Sequence, residues 1–141
     1  MPFPLRNLGR VFNASRTPDK AAIVDLLDPA HPRTVSYREL DAACDAVARG
    51  LLRRGLKRGD RVGILSLNRT EFLAAFFGTM RAGMVTVPIS IKLPRDTIEY
   101  IIGNAGVSLL FCDRERRPIC PASIATVDFD DAAAYAGFLD S

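Results

Sequence analysis

Apolar residues recur along the 141-residue chain in two alternating patterns: short β-branched runs, and longer stretches with apolar positions three and four residues apart. The runs predict strands and the longer stretches predict amphipathic helices. Six strands are predicted in this way, at 21–25, 33–35, 61–67, 84–89, 107–112 and 123–127. Helices are predicted before the third strand, between the later strands and at the end of the chain. Such alternation is typical of βα units with a parallel sheet.

Capping signals place the ends of the predicted helices. Ser36 and Glu39 have the spacing of a capping box, in which each side chain accepts a hydrogen bond from the other residue's backbone N–H. Asn68 is the predicted cap of the second helix, with Glu71 as its partner. The helix after the fourth strand is expected to stop at the pair Gly103-Asn104.

The segment 80–90, MRAGMVTVPIS, contains a helix–strand junction. An apolar helix face ends before Gly83, which permits a tight turn. Val85 and Val87 are predicted to fill a buried strand. Pro88 indicates where the hydrogen-bonded ladder weakens before the chain leaves the sheet.

Together these elements predict one α/β domain over residues 1–141. We expect a doubly wound, mainly parallel sheet with helices on both faces, because parallel crossovers are right-handed. The length suffices for a single hydrophobic core. No internal repeat, low-complexity segment or linker interrupts the chain.

The charge distribution argues against a nucleic-acid partner. The net charge is only +3, with 48% apolar and 25% charged residues, which is typical of a globular domain. The largest basic cluster lies around the end of the first helix, where cations complement the helix dipole. A nucleic-acid interface would need a broad basic face with aromatic residues between the charges.

Metal sites and nucleophilic catalysis are poorly supported. The single histidine, His31, lies between prolines in a predicted turn, and no G-x-S-x-G elbow presents a nucleophile. One histidine and three scattered cysteines do not give a zinc site. The acidic run around Asp130 and Asp131 is interpreted as a solvated helix start. Reduced thiols fit the three cysteines best, with the first two as buried small residues: Cys44, Cys112 and Cys120.

Targeting signals are also missing from the sequence. The N-terminal residues contain two prolines within MPFPLRNLGR and no apolar core of a signal peptide. No apolar run approaches the length of a membrane span. We therefore expect a cytoplasmic protein without a membrane partner.

Phosphate-binding loops of the common kinds are absent from the chain. It contains neither G-x-x-x-x-G-K-[ST] nor a G-x-G-x-x-G motif between a strand and a helix. The sequence therefore predicts a nucleotide-binding kind of architecture without a recognisable phosphate grip.

Several segments, read in order, resemble the N-terminal portion of the adenylate-forming superfamily, which includes acyl- and aryl-CoA synthetases and peptide-synthetase adenylation domains. Residues 34–40, TVSYREL, are similar to the first core motif of that family. Residues 54–68, followed by Glu71, are similar to its G-D-x-V stretch with a following N-x-x-E. Residues 80–90 are similar to the second core motif, and residues 17–24 to the family's usual entry. The resemblance covers roughly residues 10–115, and its specificity lies in the order of the segments.

This resemblance implies an ATP-dependent acid–CoA ligase. In that reaction a carboxylate attacks the α-phosphate of Mg·ATP, and the thiol of CoA then displaces AMP from the acyl-adenylate. The family's phosphate loop, its ribose-binding aspartate and its C-terminal lysine are not found in these 141 residues. We therefore expect a fragment truncated before the phosphate loop and inactive in isolation. No catalytic residue is assigned to it.

The resemblance also implies a tentative CoA site. In CoA ligases of the family, the loops after the fourth and fifth predicted strands lie near the CoA nucleotide. The matching residues are Ser90, Ile91 and Lys92 on the first loop. On the second loop they are Arg114, Arg116 and Arg117. Cationic side chains there can pair with phosphate oxygens; the alternative is that they are ordinary solvated loop charges.

Other functions and partners stay open at this stage. The chain is also compatible with part of a carrier-protein adenylation domain, or with a stand-alone interaction module that has kept the fold without the chemistry. An unrelated flavodoxin-like protein is disfavoured by the ordered motifs. The expected partners are the remainder of a ligase chain and a second copy of this chain, because a truncated domain exposes apolar surface.

Overall fold

The computed structural model describes residues 6–140; residues 1–5 and 141 lie outside it, and so does half of the stretch searched for a signal peptide. The strands are β1 Ala21–Asp25, β2 Arg33–Ser36, β3 Arg61–Leu65, β4 Val85–Pro88, β5 Val107–Cys112 and β6 Ala125–Asp128. The helices are α1 Tyr37–Arg53, α2 Thr70–Arg81, α3 Arg95–Ala105 and α4 Ala132–Asp140. Short 3₁₀ turns lie at Leu8–Arg10 and Arg117–Ile119. No helix of this part of the chain is both long and apolar enough to cross a membrane.

Four strands form a parallel sheet in the order β4-β3-β5-β6. Strands β1 and β2 form a separate antiparallel hairpin. The connection from β3 through α2 leads to one side of the sheet, and the connection from β4 through α3 leads back across it to β5. The predicted α/β class with a doubly wound, mainly parallel sheet is confirmed.

Two apolar clusters cover the two faces of the sheet. Ile64 and Phe111 belong to the larger cluster, which is completed by residues of α1, α2 and α4. Leu110 belongs to the smaller cluster, together with Ile98 and Ile102 of α3, and we call it the α3-side cluster. Helices therefore lie on both faces, as predicted, and three of the four share one face.

The first helix begins with the predicted capping box. The backbone N–H of Glu39 donates to the Ser36 hydroxyl over 3.2 Å, and the N–H of Ser36 donates to the Glu39 carboxylate over 2.7 Å. After the helix, Gly55 adopts φ +82°, a left-handed conformation that suits glycine. Helix α2 then packs very closely on α1, because a Cβ on Gly78 would lie only 2.7 Å from Cys44 O.

Two predicted helix boundaries are wrong, and the strands predicted at 61–67 and 123–127 are observed at Arg61–Leu65 and Ala125–Asp128. Asn68 does not cap α2, whose N-cap position is Arg69 and has no side-chain cap of its own. Helix α3 continues through Gly103 and Asn104 and ends at Gly106, where φ is +63°. A glycine inside an exposed helix costs only about 1 kcal/mol, which the burial of the α3 isoleucines outweighs.

The segment 80–90 has the predicted turn but an unexpected strand. Gly83 adopts φ +79°, as expected. The prediction that Val85 and Val87 fill a buried strand is wrong, because β4 is an edge strand on which Val85 is 48% exposed and Val87 is half-buried. Pro88 stays paired in register with Ile64. An edge strand tolerates proline because the missing N–H points away from the sheet.

Candidate functional site

The loop after β4 contains the first group of predicted site residues. The backbone N–H of Ile89 donates to Ile64 O over 2.9 Å and holds the loop against the end of β3. Ser90 then turns the chain, with its hydroxyl accepting from the N–H of Lys92 over 3.3 Å. Ile91 is half-buried against the α3-side cluster, whereas Ser90 and Lys92 are exposed.

A pocket of about 390 Å³ lies beside this loop. The carboxyl ends of β3 and β4 form it, and its lining includes Ser66, Asn68 and Phe72 opposite Ser90 and Lys92. The ammonium group of Lys92 makes no ion pair with any carboxylate of residues 6–140. Open parallel sheets bind ligands at this edge, and Lys92 is a cation free to meet an anion there.

The loop after β5 is organised by Asp113, which sequence reasoning missed. Its buried carboxylate accepts from the N–H of Leu67 over 2.9 Å and so joins the loops after β3 and β5. It also accepts from the N–H of Arg116 over 3.0 Å and from the Arg116 guanidinium over 3.1 Å. The available signal was an aspartate directly after a largely apolar strand, of which only Ser108 is exposed.

The second group of predicted residues has protein partners already. The Arg114 guanidinium donates to the backbone O of Asp130 over 2.7 Å, and its N–H donates to the Asp130 carboxylate over 2.9 Å. Arg116 pairs with Asp113 and Glu115. Arg117 lies exposed in the 3₁₀ turn. The guanidinium groups of Arg114 and Arg116 are therefore already bonded within the protein, Arg114 to a backbone carbonyl and Arg116 to carboxylates.

The structure does not bring the two predicted groups into one pocket. Arg114 and Arg116 line a separate pocket of about 270 Å³ with Arg69 and Asp130. Leu67 borders both this pocket and the pocket of Lys92. Lys92 and Arg114 are therefore on opposite sides of the β3–α2 loop.

A chain of ion pairs, which we call the rim network, runs along this edge through Asp25, Arg33, Glu71, Arg69 and Asp130. The Arg33 guanidinium lies 2.9 Å from the carboxylates of both Asp25 and Glu71. The Arg69 guanidinium lies 2.7 Å from those of Glu71 and Asp130. The interpretation of Asp130 as a solvated helix start is therefore wrong, and the network joins the hairpin, α2 and the β6–α4 loop.

Asp25 caps α2 from the hairpin. Its carboxylate accepts from both the N–H and the hydroxyl of Thr70, each over 2.7 Å. Only 3% of the Asp25 side chain is exposed. Burial by itself would raise the pKa of Asp25, but hydrogen bonds from Thr70, Arg33 and the backbone hold the pKa well below its usual range. This long-range cap takes the place of the predicted Asn68.

The other two carboxylates of the rim network are stabilised in the same way. Burial opposes the ionisation of Glu71, but hydrogen bonds from Arg69, the backbone and Arg33 lower its pKa. Burial likewise opposes that of Asp130, but the N–H of Arg114 and the Arg69 side chain lower its pKa. All three acids are therefore charged at neutral pH and have structural partners, which argues against a proton-transfer role.

An apolar groove of about 750 Å³ lies between the hairpin and the start of α2. Several large apolar side chains around it are exposed: Val24, Leu26, Leu27 and Leu67. In residues 6–140, histidine, cysteine, aspartate and glutamate form no cluster of three that could hold a metal ion. The carboxyl edge of the sheet thus combines one free lysine, a closed charge network and an apolar groove.

Most of the chain is similar to proteins of one known family. Residues 12–138 match the profile of the AMP-binding enzymes. The chain belongs to the AMP-binding enzyme family. A 3-hydroxybenzoate–CoA/4-hydroxybenzoate–CoA ligase from Thauera aromatica is 40% identical over 84 residues. Tyrocidine synthase 3 from Brevibacillus parabrevis is 30% identical over 124 residues.

Each AMP-binding relative is much longer than this chain. The match covers 59% of the chain but 16% of the Thauera ligase, and 88% of the chain but 2% of the tyrocidine synthase. Two solved structures of the family also have the same fold. The fatty acyl CoA synthetase of Mycobacterium tuberculosis superposes with a TM-score of 0.77 at 25% identity, over 91% of this chain and 26% of its own. The O-succinylbenzoate coenzyme A synthetase of Bacillus subtilis, solved with AMP, gives 0.71 at 25% identity, over 82% and 29%.

Proposed function

We propose that this chain is the amino-terminal part of an ATP-dependent acid–CoA ligase. The observation that carries the proposal is the 40% identity to a hydroxybenzoate–CoA ligase. In the proposed reaction a carboxylate oxygen attacks the α-phosphorus of ATP and pyrophosphate leaves. The sulfur of CoA then attacks the acyl carbonyl carbon and AMP leaves. Mg²⁺ would neutralise charge on the phosphates of ATP.

The loop 90–92 is the proposed point of contact with CoA. Lys92 is exposed, free of carboxylate partners within residues 6–140, and adjacent to a pocket at the ligand-binding edge of the sheet. Its ammonium group would pair with a phosphate oxygen of CoA, and Ser90 would offer a hydroxyl beside it. Ile91 would act by anchoring the loop, because its side chain packs against the α3-side cluster.

Calorimetric titration of CoA into the chain tests this contact. We expect Lys92→Ala to weaken binding about tenfold, the loss of roughly one charge-assisted hydrogen bond. Lys57→Ala is the matched control, because Lys57 is an exposed lysine before β3, at the amino-terminal ends of the parallel strands and away from the pocket. Equal affinities of the wild type and the Lys92 variant would refute the assignment.

Arg114 is proposed as a secondary contact. Its guanidinium already donates to Asp130 O over 2.7 Å, so an incoming phosphate would share it with the protein. We therefore expect Arg114→Ala to weaken CoA binding less than Lys92→Ala does. A larger loss in the Arg114 variant would move the proposed site to the β5 loop.

Adenylation by these 141 residues alone is not expected. Stabilising the charge that develops on a phosphate needs positioned cations or backbone donors, and the sequence has no phosphate loop of the recognised kinds. An ATP–pyrophosphate exchange assay with aromatic and aliphatic acids tests this expectation. Exchange above the no-acid background would overturn it.

The tyrocidine synthase relative supports a second candidate, a carrier-protein adenylation domain. That relative matches a longer stretch than the ligase does, 124 residues against 84. Both candidates share the adenylation step and differ in the thiol that accepts the acyl group. CoA binding at Lys92 distinguishes the two candidates, because a carrier-protein adenylation domain does not need a contact with the phosphates of CoA. Calorimetry without detectable CoA binding by the wild type would favour the carrier-protein candidate.

Self-association also stays a prediction. The exposed apolar side chains around the hairpin groove would be removed from water if two copies packed together. Leu26→Asp is expected to dissociate such a dimer in sedimentation velocity. Tyr100→Asp is the control, because Tyr100 is at least as exposed as Leu26 but lies on α3, away from the groove. A monomeric wild type would contradict the prediction.

A further inference from the structure

A group of exposed cations, which we call the basic patch, lies at the amino-terminal ends of the parallel strands, opposite the candidate site. One member, Arg6, lines a pocket of about 490 Å³ together with Arg58. The side chains of the patch belong to exposed residues at the end of α1, in the turn that follows it and before the first 3₁₀ turn: Arg49, Arg53, Arg54, Lys57, Arg58 and Arg6.

The basic patch keeps its positive charge. No carboxylate of residues 6–140 forms an ion pair with any of its members. Arg53 donates instead to the carbonyl of Leu139 over 2.7 Å, and Arg54 lies over the ring of Phe138 at 5.5 Å from its centroid. The guanidinium groups of the rim network, by contrast, each bind two carboxylates.

The helix dipole explains only part of the patch. Arg53 and Arg54 lie at the end of α1, where cations complement the last carbonyls of the helix. Lys57 and Arg58 lie beyond the helix, in the turn before β3. The acid nearest to them in sequence, Asp60, accepts from the backbone N–H of Lys57 over 2.7 Å. The charges of this turn therefore face solvent.

Two exposed leucines lie among the cations. Leu52 is 54% exposed and lies beside Arg49 and Arg53 on the outer side of α1. Leu8 is 64% exposed and lines the pocket that Arg6 and Arg58 share. Leucine side chains suit the interior of a lipid layer, whereas binding of unpaired bases needs exposed aromatic rings on which the bases stack.

We propose that the basic patch binds the surface of an anionic lipid bilayer. Lipid phosphates would pair with the cations, and Leu8 and Leu52 would enter the boundary between headgroups and acyl chains. A small anion in the pocket fits less well, because it would meet only two of the cations and would lie at the carbonyl end of α2.

The proposal is independent of the ligase function, because no residue of the loop 90–92 takes part in it. It differs from the sequence-based expectation of no membrane partner, which considered only signal peptides and spanning segments. The bound bilayer would lie on the side of the sheet opposite the candidate site and would leave that site open to its ligands.

Co-sedimentation of the 141-residue chain with lipid vesicles tests the proposal. One set of vesicles contains phosphatidylcholine alone, and the other contains equal parts of phosphatidylcholine and phosphatidylglycerol. We expect binding to be at least about tenfold tighter to the anionic vesicles. Added salt should release the chain, because it screens charges that are exposed to water.

Charge reversal in the patch should weaken this binding. The double variant Lys57→Glu with Arg58→Glu is expected to bind at least about tenfold more weakly. Arg16→Glu with Lys20→Glu is the matched control, because it changes the net charge equally at exposed residues. The carbonyl of Lys20 accepts from Tyr37 at the start of α1, about 25 Å from the patch at 1.5 Å per residue. We expect this control to lose less than about threefold.

The leucine contribution is tested separately. Leu52→Ser is expected to weaken binding to anionic vesicles at least about threefold, because an apolar side chain no longer enters the lipid. Tyr100→Ser is the control, because Tyr100 is 67% exposed but lies on α3. It should leave binding unchanged.

Three results would overturn the proposal. The first is a wild type that binds both kinds of vesicle equally or binds neither, which needs no variant to be folded. The second is an equal loss in the two charge-reversed double variants, which would assign binding to net charge and not to the patch. The third is binding of a single-stranded RNA oligonucleotide without binding of vesicles, which would make the patch a nucleic-acid surface.

Discussion

The apolar core on the α4 side of the sheet and the rim network at its carboxyl edge hold the molecule together in opposite ways. In the core, Phe111 stacks on Phe129 with ring centroids 5.4 Å apart and meets the edge of Phe138 at 5.3 Å. In the rim network, Asp25 and Glu71 bind guanidinium groups. The core is stabilised by area removed from water, and the network by paired charges that would be costly to leave unpaired.

The two regions are therefore sensitive to different substitutions. A core loses stability in proportion to the atoms removed and the cavity left behind. A charge network loses stability when one partner is removed and the others remain buried without it. It also responds to pH, whereas the phenylalanine cluster has no group that titrates.

The largest effect is expected from Phe111→Ala. Phe111 is fully buried between two aromatic rings, so its truncation should lower the free energy of unfolding by about 3–5 kcal/mol. Guanidinium unfolding followed by circular dichroism measures this loss. Tyr100→Ala, at a side chain 67% exposed, should change the value by less than about 0.5 kcal/mol. Similar losses in the two variants would mean that the core is misplaced.

A smaller loss is expected from Asp25→Ala. The variant leaves the buried N–H and hydroxyl of Thr70 without an acceptor and removes one partner of Arg33. Because Arg33 is half-exposed, water recovers part of the loss. We expect a decrease of about 2–3 kcal/mol in the free energy of unfolding, measured in the same way.

Asp28→Ala is the matched control, since Asp28 belongs to the turn of the same hairpin. Its carboxylate is exposed and, among the residues that the structure describes, accepts only from the Ala30 N–H and the His31 ring. We expect a change below about 0.5 kcal/mol. If the two aspartate variants were equally stable, the long-range cap of α2 would not contribute to stability.

The same contrast explains what the sequence could predict. The existence of the six strands, the sheet class and the capping box are confirmed, because the patterns that predict them lie in residues close in sequence; the burial of β4 and some strand ends are not. Asp25 and Thr70 are 45 residues apart, so their bond depends on how the hairpin docks, which periodicity does not encode. Asn68 has good capping chemistry, but the buried Asp25 carboxylate occupies the helix end instead.

In the candidate site, too, features set by local sequence were predicted and features set by long-range contacts were not. Lys92 was identified through the family resemblance, and its position at the carboxyl ends of the strands follows because it comes shortly after the parallel strand β4. The partner of Arg114 is Asp130, 16 residues later in the chain. Local sequence makes Asp130 look like the start of a helix, because its pairing with Arg69 exists only after β3 and β6 enter one sheet.

Acid should destabilise the rim network. The part of this loss that is due to Asp25 is measured by comparing the wild type with Asp25→Ala at each pH. The pKa of Asp25 is lowered in the folded state, so its contribution is complete above the unfolded-state pKa and is lost as the pH falls towards the folded-state pKa. Between pH 6 and pH 3 we expect the stability difference between the wild type and Asp25→Ala to shrink by about 1 kcal/mol. Urea unfolding at each pH measures it.

Phe111→Ala provides the reference for this pH series, because its difference from the wild type should stay constant between pH 6 and pH 3. A parallel decline in both variants would assign the acid sensitivity to the whole domain. A constant difference for Asp25→Ala would mean that its carboxylate is not preferentially stabilised in the folded state.

The smallest effect is expected from Ser36→Ala, which breaks a cap made entirely of neighbouring residues. The variant removes the acceptor of the Glu39 N–H, but α1 begins at the surface, where water replaces the hydroxyl. We expect a loss of about 0.5–1 kcal/mol in urea unfolding, as for other exposed N-caps. Ser36→Asp should restore most of it, because aspartate is also a good N-cap. A loss as large as that of Asp25→Ala would show that a local cap and a buried long-range cap stabilise their helices equally, and the distinction between the two kinds of helix start would fail.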